Sequence, residues 1–191
     1  MTRLALTGAV VAHVGLRDVT EADLPVLFEH QRDPDAVRMA AFVARDRAAF
    51  DAHWRKILGD PAVTAKAIVA DGVLAGNIGA WGDASERLVG YWIGKEHWGQ
   101  GIASRALAAF LAVERARPLF AHVAKANVGS LRVLQKCGFV GAGAPAAPRP
   151  PRGAAGGVPI CGGGAPPAAP DGAATDGVAE LILRHDEAPP P

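Results

Sequence analysis

At 191 residues the chain fits one domain, long enough to bury a core without disulfides or metals. Half of it is apolar, a fifth is charged and the formal net charge is +1, which argues against general binding to nucleic acid or an anionic membrane surface. The two cysteines, Cys137 and Cys161, fall in no Cys-x-x-Cys or Cys/His ligand spacing, so neither a metal nor dithiol chemistry is expected and a reducing cytoplasm fits.

The start, "MTRLALTGAVVAHVGLRD", faintly resembles a secretory leader, with Arg3 before a weakly apolar run, but Val14 to Arg17 already reads as a first strand. No run approaches the roughly 20 apolar residues that cross a bilayer. After the strand at 13–18 comes "TEADLPVLFEHQRD", with Thr20 and Asp23 at capping-box spacing and Leu24, Leu27 and Phe28 on one helical face. A second helix is predicted in "DRAAFDAHWRKIL", where Phe50, Trp54, Ile57 and Leu58 follow the 3.6-residue period and Asp60-Pro61 ends it. The intervening "QRDPDAVRMAAFVARD" has no clean period and is read as a loop, either bordering a pocket or simply joining two helices.

"TAKAIVA" and "VLAGNIGAW" flank Asp71-Gly72, a pair suited to a tight hairpin turn, and "RLVGYWIG" follows through Gly-Asp-Ala-Ser, giving three strands in an antiparallel meander. A helix is predicted from Ile102 to about Glu114, then a strand opened by Pro118, then a short helix in "NVGSLRVLQKCGF" capped by Asn127 and ended by Gly138. Between Gly141 and Gly177, 29 of 37 residues are Gly, Ala or Pro, a composition expected to remain disordered. "GVAELILRHD" reads as a last strand and 188–191 as a tail, so the expected domain is 1–140 plus 178–187.

Gly99-Gln100-Gly101 joins a strand directly to a helix. The first turn of a helix carries backbone N–H groups without internal partners at the positive end of its dipole, and glycines leave room for an anion there. A nucleotide-hydrolase loop is not matched, because no lysine follows Gly101. A dinucleotide loop is not matched either: Ser104 stands at the third glycine, and Ala121 and His122 stand near the place of the acidic ribose partner. Taken alone, the glycines are also compatible with a tight turn and no ligand.

The stretch "WGQGIA", Trp98 to Ala103, resembles the Q/R-x-x-G-x-G/A signature of the GNAT superfamily of N-acetyltransferases, and the order of elements agrees with that fold. "NVGSLRVLQKCGF" is similar to the N-x-x-S-x-x-x-L-x-K-x-G-F segment of the branch that includes the ribosomal-protein N-terminal acetyltransferases. The similarity spans roughly 14–139, with a weaker echo at 178–186; Trp98 replaces the signature's Gln or Arg. The resemblance implies a mixed α/β acyl-coenzyme A N-acyltransferase fold, an antiparallel meander followed by a splayed parallel strand pair.

It also implies acetyl-CoA as co-substrate and a primary amine, on a peptide terminus or a small molecule, as acceptor. The diphosphate would sit on backbone amides of Trp98, Gly99, Gln100, Gly101, Ile102, Ala103 and Ser104, and the pantetheine arm along Trp92, Ile93 and Gly94, with an amide near Ile93 facing the thioester oxygen. Asn127 would contact the arm and Ser130 would protonate the departing sulfur, although both positions also suit simple helix capping. Tyr91 and Trp92 equally suit a core.

Amine acetylation by a thioester calls for alignment, carbonyl polarisation and proton transfer rather than a metal. An amino terminus with a pKa near 8 needs less help from a base than a lysine near 10.4. Glu96, His97 and His122 are the candidate bases, with Glu96 preferred, whereas His13, His30, His53 and His185 have no spacing that suggests a site. Gln31, Arg32, Met39 and Phe42, from the loop before the second helix, are the acceptor-side candidates. The expected protein acts as a monomer or homodimer, without nucleic acid or membrane. In relatives, a strand and hairpin after "GF" wall the acceptor site; here the Gly/Ala/Pro block replaces much of it, through a natural insertion or a reading frame lost and regained. A coenzyme-binding regulatory module with a damaged acceptor site is therefore the competing expectation.

Overall fold

A computed structural model describes residues 11–83, 85–142 and 180–187. The leader-like start and nearly all of the Gly/Ala/Pro block lie outside the described residues. The described strands form one seven-stranded mixed sheet in the order β1-β2-β3-β4-β5-β7-β6. β1 (Val14–Asp18), β2 (Thr64–Ala70), β3 (Val73–Gly82) and β4 (Arg87–Ile93) are successively antiparallel. The β2–β3 turn uses Asp71 and Gly72 at φ 47° and 85°, the left-handed pair that matches strand twist. β5 (Leu119–Ala124) runs parallel to β4, and its other edge pairs antiparallel with β7 (Glu180–His185). Directly after Phe139, Val140–Gly141 forms β6, pairing with Arg184 and Leu183 of β7.

Each face of the sheet has its own core. On one, α1 (Leu24–Arg32) and α3 (Arg47–Gly59) bury Leu27, Phe28, Phe50, Trp54 and Ile57 against Trp81 and Trp92. Phe28 and Phe50 meet edge to face at 5.2 Å, and full burial of a side chain such as Phe50 stabilises by about 2–3 kcal/mol. On the other, α4 (Ile102–Val113) and α5 (Val128–Lys136) pack Ile102, Ala106, Leu107, Phe110 and Leu134 onto the sheet.

Two readings of the sequence are corrected. The stretch assigned to a loop contains a helix, α2 (Pro34–Ala40): the Asp33 carboxylate accepts N–H groups of Asp35 and Ala36, and Pro34 occupies the first turn, where its missing N–H costs nothing. The signal was Asp33-Pro34, and it was overlooked because seven residues are too few to display a period. Leu58 does not share the buried face of α3 but is 42% exposed.

At the entry to α1, the Asp23 carboxylate receives the Arg17 guanidinium at 2.6 and 2.7 Å together with the N–H and hydroxyl of Thr20. The Arg17 hydrogen bonds hold the Asp23 carboxyl down to about 2, against opposing desolvation. A depressed folded-state pKa stabilises the fold above the ordinary carboxylate range, and that contribution is lost as pH falls through the folded value. Because Arg17 is half exposed, the expected contribution is about 1–2 kcal/mol. Urea titrations should show stability falling between pH 4 and 2, and Asp23→Asn should start lower and flatten that fall.

Candidate functional site

β4 and β5 pair at only two rungs, Arg87↔Leu119 and Leu88↔Phe120, and then part. The Gly94 N–H donates to the Ala75 carbonyl at 2.9 Å, so alternation along the strand turns the peptide groups of Trp92 toward β3 and those of Tyr91 and Ile93 toward β5. In agreement, the Ile93 carbonyl accepts the Trp98 indole N–H at 2.9 Å rather than a bond from β3. The gap between the strands is continuous with a cleft of about 570 Å³ that runs past the start of α4, along α5 and up to α2.

The start of α4 has no side-chain cap; α1 also begins without one, but it continues directly from the 3-10 turn Glu21–Asp23. α2, α3 and α5 are capped by the side chains of Asp33, Asp46 and Asn127; α4 has Gly101 at its cap, with no side-chain bond and no acid in its first turn. Its first N–H groups therefore lack side-chain partners at the positive end of the helix dipole. Gly99 and Gly101 stand at φ 75° and 73°, which L side chains rarely adopt, and a Cβ on either would meet nothing within 4 Å. Conformation demands the glycines, and the open space above them is room for a ligand. Arg132 and Lys136 of α5 add two cations to the same cleft. An uncapped helix end beside two cations is an anion cradle.

Across the gap, the Tyr91 hydroxyl lies 3.0 Å from Ser130 Oγ, and the Asn127 carboxamide oxygen accepts the Ser130 N–H at 3.0 Å. At the end of β4, Lys95–His97 forms one 3-10 turn, and His97 lines the cleft. His30 of α1 reaches Glu96, Nε2 to Oε1, at 3.1 Å, and His97 Nε2 lies 3.7 Å from the same oxygen. Burial is the main reason the His30 imidazole titrates below its usual value, with the Glu96 charge opposing. The Glu96 carboxyl also lies below its ordinary value: desolvation opposes this, but its backbone bond and the two histidines outweigh it.

The family of the Acetyltransferase (GNAT) domain matches residues 13–140. The chain belongs to that family. No curated protein matches the chain. Among solved structures, the acetyltransferase of Agrobacterium tumefaciens is 19% identical with a TM-score of 0.64, covering 93% of this chain and 92% of that one. The spermidine N-acetyltransferase of Vibrio cholerae, solved with CoA and spermine, is 18% identical with a TM-score of 0.62, covering 68% and 82%. An aminoglycoside acetyltransferase solved with coenzyme A is 18% identical with a TM-score of 0.57, covering 68% and 85%. At such identities the likeness is one of fold, and it is the GNAT fold.

Within this acetyltransferase the cleft brings together Trp92, Ile93, Trp98, Gly99, Gly101, Ile102, Ala103, Ser104, Asn127, Ser130 and Met39. Gly94 is buried behind it, and Gln100 is exposed, its amide donating to the Glu96 carbonyl. Glu96 flanks the cleft without lining it, whereas its neighbour His97 lines it. Gln31 and Arg32 do not reach it: Gln31 is buried within α1, and Arg32 lies at the surface on Glu29. Phe42 stands behind the wall, 5.5 Å from the Trp92 ring. Sequence reasoning missed His30 and the Tyr91–Ser130 contact, whose partners lie 66 and 39 residues apart.

Alanine at Gly101 would be forced out of, or strained within, the left-handed region at a cost of about 1–2 kcal/mol. Gly101→Ala should accordingly weaken coenzyme A binding about tenfold by calorimetry. Unchanged affinity would remove the uncapped end of α4 from the ligand's path.

Proposed function

We propose that the protein transfers the acetyl group of acetyl-CoA to a primary amine by direct attack in a ternary complex, within one catalytic domain formed by 1–140 and 178–187. One observation carries the reading: the strands part where an uncapped, glycine-led helix end opens into the same cleft. On this reading the amides from Gly99 to Ser104, with Arg132 and Lys136, hold the phosphates, and the arm lies between β4 and β5 against Trp92, Ile93 and Asn127. The Ile93 N–H, directed toward β5, meets the charge that develops on the thioester oxygen as the amine's lone pair forms the new C–N bond. As the C–S bond breaks, Ser130, held by Tyr91 and Asn127, supplies the proton taken by sulfur, and the Glu96–His97 turn accepts the one shed by nitrogen.

The N-x-x-S segment supports a place near the ribosomal-protein N-terminal acetyltransferases, and the cysteine usage supports the cytoplasm. Among the described residues no helix is long and apolar enough to cross a membrane. The regulatory-module alternative draws on β6, a two-residue remnant of the expected wall.

Free-thiol release from acetyl-CoA over a panel of amines separates the two, since a module binds the donor without acceptor-dependent release. Ser130→Ala should lower kcat about ten- to a hundredfold. Its affinity for the donor should stay within about threefold of the parent protein. An unchanged kcat would exclude Ser130 as the proton source.

A further inference from the structure

The half of the cleft formed by α2 and the sheet is apolar, and among the described residues no carboxylate lines it. Ala36, Met39 and Ala40 of α2 face Trp81, Leu88 and Trp92 of the sheet, with Phe42 backing Trp92. The formally charged side chains that line the cleft are Arg132 and Lys136, and no Asp or Glu lines it among the described residues. A ligand bearing several ammonium groups would lose hydration there and meet no compensating anion.

The carboxylates flanking that end are committed elsewhere. Asp35 pairs with Lys95 and Arg38, Asp33 caps α2 with Lys95 at 3.8 Å, and Glu29 holds Arg32 at 3.1 Å. Glu96 differs: its partners are His30 at 3.1 Å, whose imidazole burial pushes below its usual value, and His97 at 3.7 Å, rather than a lysine or arginine. Beside the end of β4 there is thus an exposed carboxylate held by two histidines and by no lysine or arginine, on the flank of the cleft.

Resting on the acetyl-transfer reading, we propose that the acceptor is a monoamine borne on an aliphatic or aromatic group, its apolar part against Met39, Trp81 and Trp92 and its single ammonium attracted by Glu96. Polyamines and aminoglycosides, with their multiple charges, are disfavoured. The chemistry is shared by small arylalkylamines and by peptide amino termini with an apolar first residue, and the assay distinguishes these sources.

Thiol release is measured for 2-phenylethylamine, a series of n-alkylamines, Leu- and Asp-initiated peptides, spermidine and kanamycin. The apolar monoamines or the Leu peptide should exceed spermidine and kanamycin at least about tenfold in kcat/KM, rising about fourfold per added methylene until the wall is covered. KM for the preferred amine should change less than about twofold between low and high salt, because one ammonium, not several, is recognised. Met39→Asp, a change at a partly exposed position of α2, should move the spermidine-to-phenylethylamine ratio about tenfold toward spermidine. Preference for spermidine or kanamycin in the parent protein, or a ratio unmoved by Met39→Asp, overturns the assignment while leaving acetyl transfer intact. Calorimetric binding of acetyl-CoA with no release to any amine would instead overturn acetyl transfer, and this assignment with it.

Discussion

The site depends on a failure of pairing: β4 and β5 stay together for two rungs and no further. Strands that share an edge ordinarily continue, because each unpaired amide or carbonyl left in a protein interior is costly. Here the closed end is pinned and the open end is wedged. At the closed end the partly buried Arg87 donates to the Ala62 carbonyl at 2.6 Å, to Thr64 Oγ1 at 3.2 Å and to Glu114 at 3.0 Å. At the open end, the Trp98 indole takes the Ile93 carbonyl, and Tyr91 leans across to Ser130 of α5. The outer edge of β5 is held by β7 along its whole length, so β5 cannot swing back to close the gap. The gap thereby becomes a place where an extended ligand can satisfy the strand edges.

Charge is divided along the cleft. The end formed by α4 and α5 presents unpartnered helix amides and two cations, an environment for a polyanion. The end formed by α2 and the sheet is apolar, where an amine loses water and its lone pair is more readily exposed. Between these ends the Ile93 N–H turns inward and Ser130 sits opposite, where the proposed reaction places the reacting atoms.

Much of this was readable from local pattern. The meander follows from the turn signals Asp71-Gly72 and Gly-Asp-Ala-Ser between apolar runs, the α4 face from its period, and the α5 cap from Asn127, whose carboxamide does bond the Ser130 amide. What was not readable depends on tertiary approach. Arg32 shares with Met39 the stretch read as one loop on the acceptor side, but α1 turns it toward Glu29 and solvent while α2 sets Met39, itself partly exposed, on the cleft. Glu96 and His97 are adjacent in sequence, and Glu96 is the preferred base on the sequence; the 3-10 turn, closed by the His97 N–H on the Gly94 carbonyl, instead sends His97 to the cleft and Glu96 to its flank. His30 had no motif at all, because its partner comes from a turn far along the chain.

His30 also fixes its own chemistry. Its Nδ1 is buried without a hydrogen-bond partner, and a buried donor without an acceptor costs more than a buried acceptor without a donor, so the ring proton belongs on Nε2, donating to Glu96. Such a histidine is a poor metal ligand, since ligating imidazoles use one nitrogen for the metal and donate the other N–H to a partner. It is instead a neutral support for a carboxylate. Gly94 makes that support possible: a Cβ there would lie 2.6 Å from His30 Nε2, although the backbone itself, at φ −56°, would accept any residue. The Trp92 indole completes the arrangement by donating to the His30 carbonyl at 2.9 Å. The strand that carries Ile93 into the gap is thus tied, through Trp92 and His30, to the carboxylate of Glu96, so the amide and the anion that the proposed reaction uses share one set of contacts.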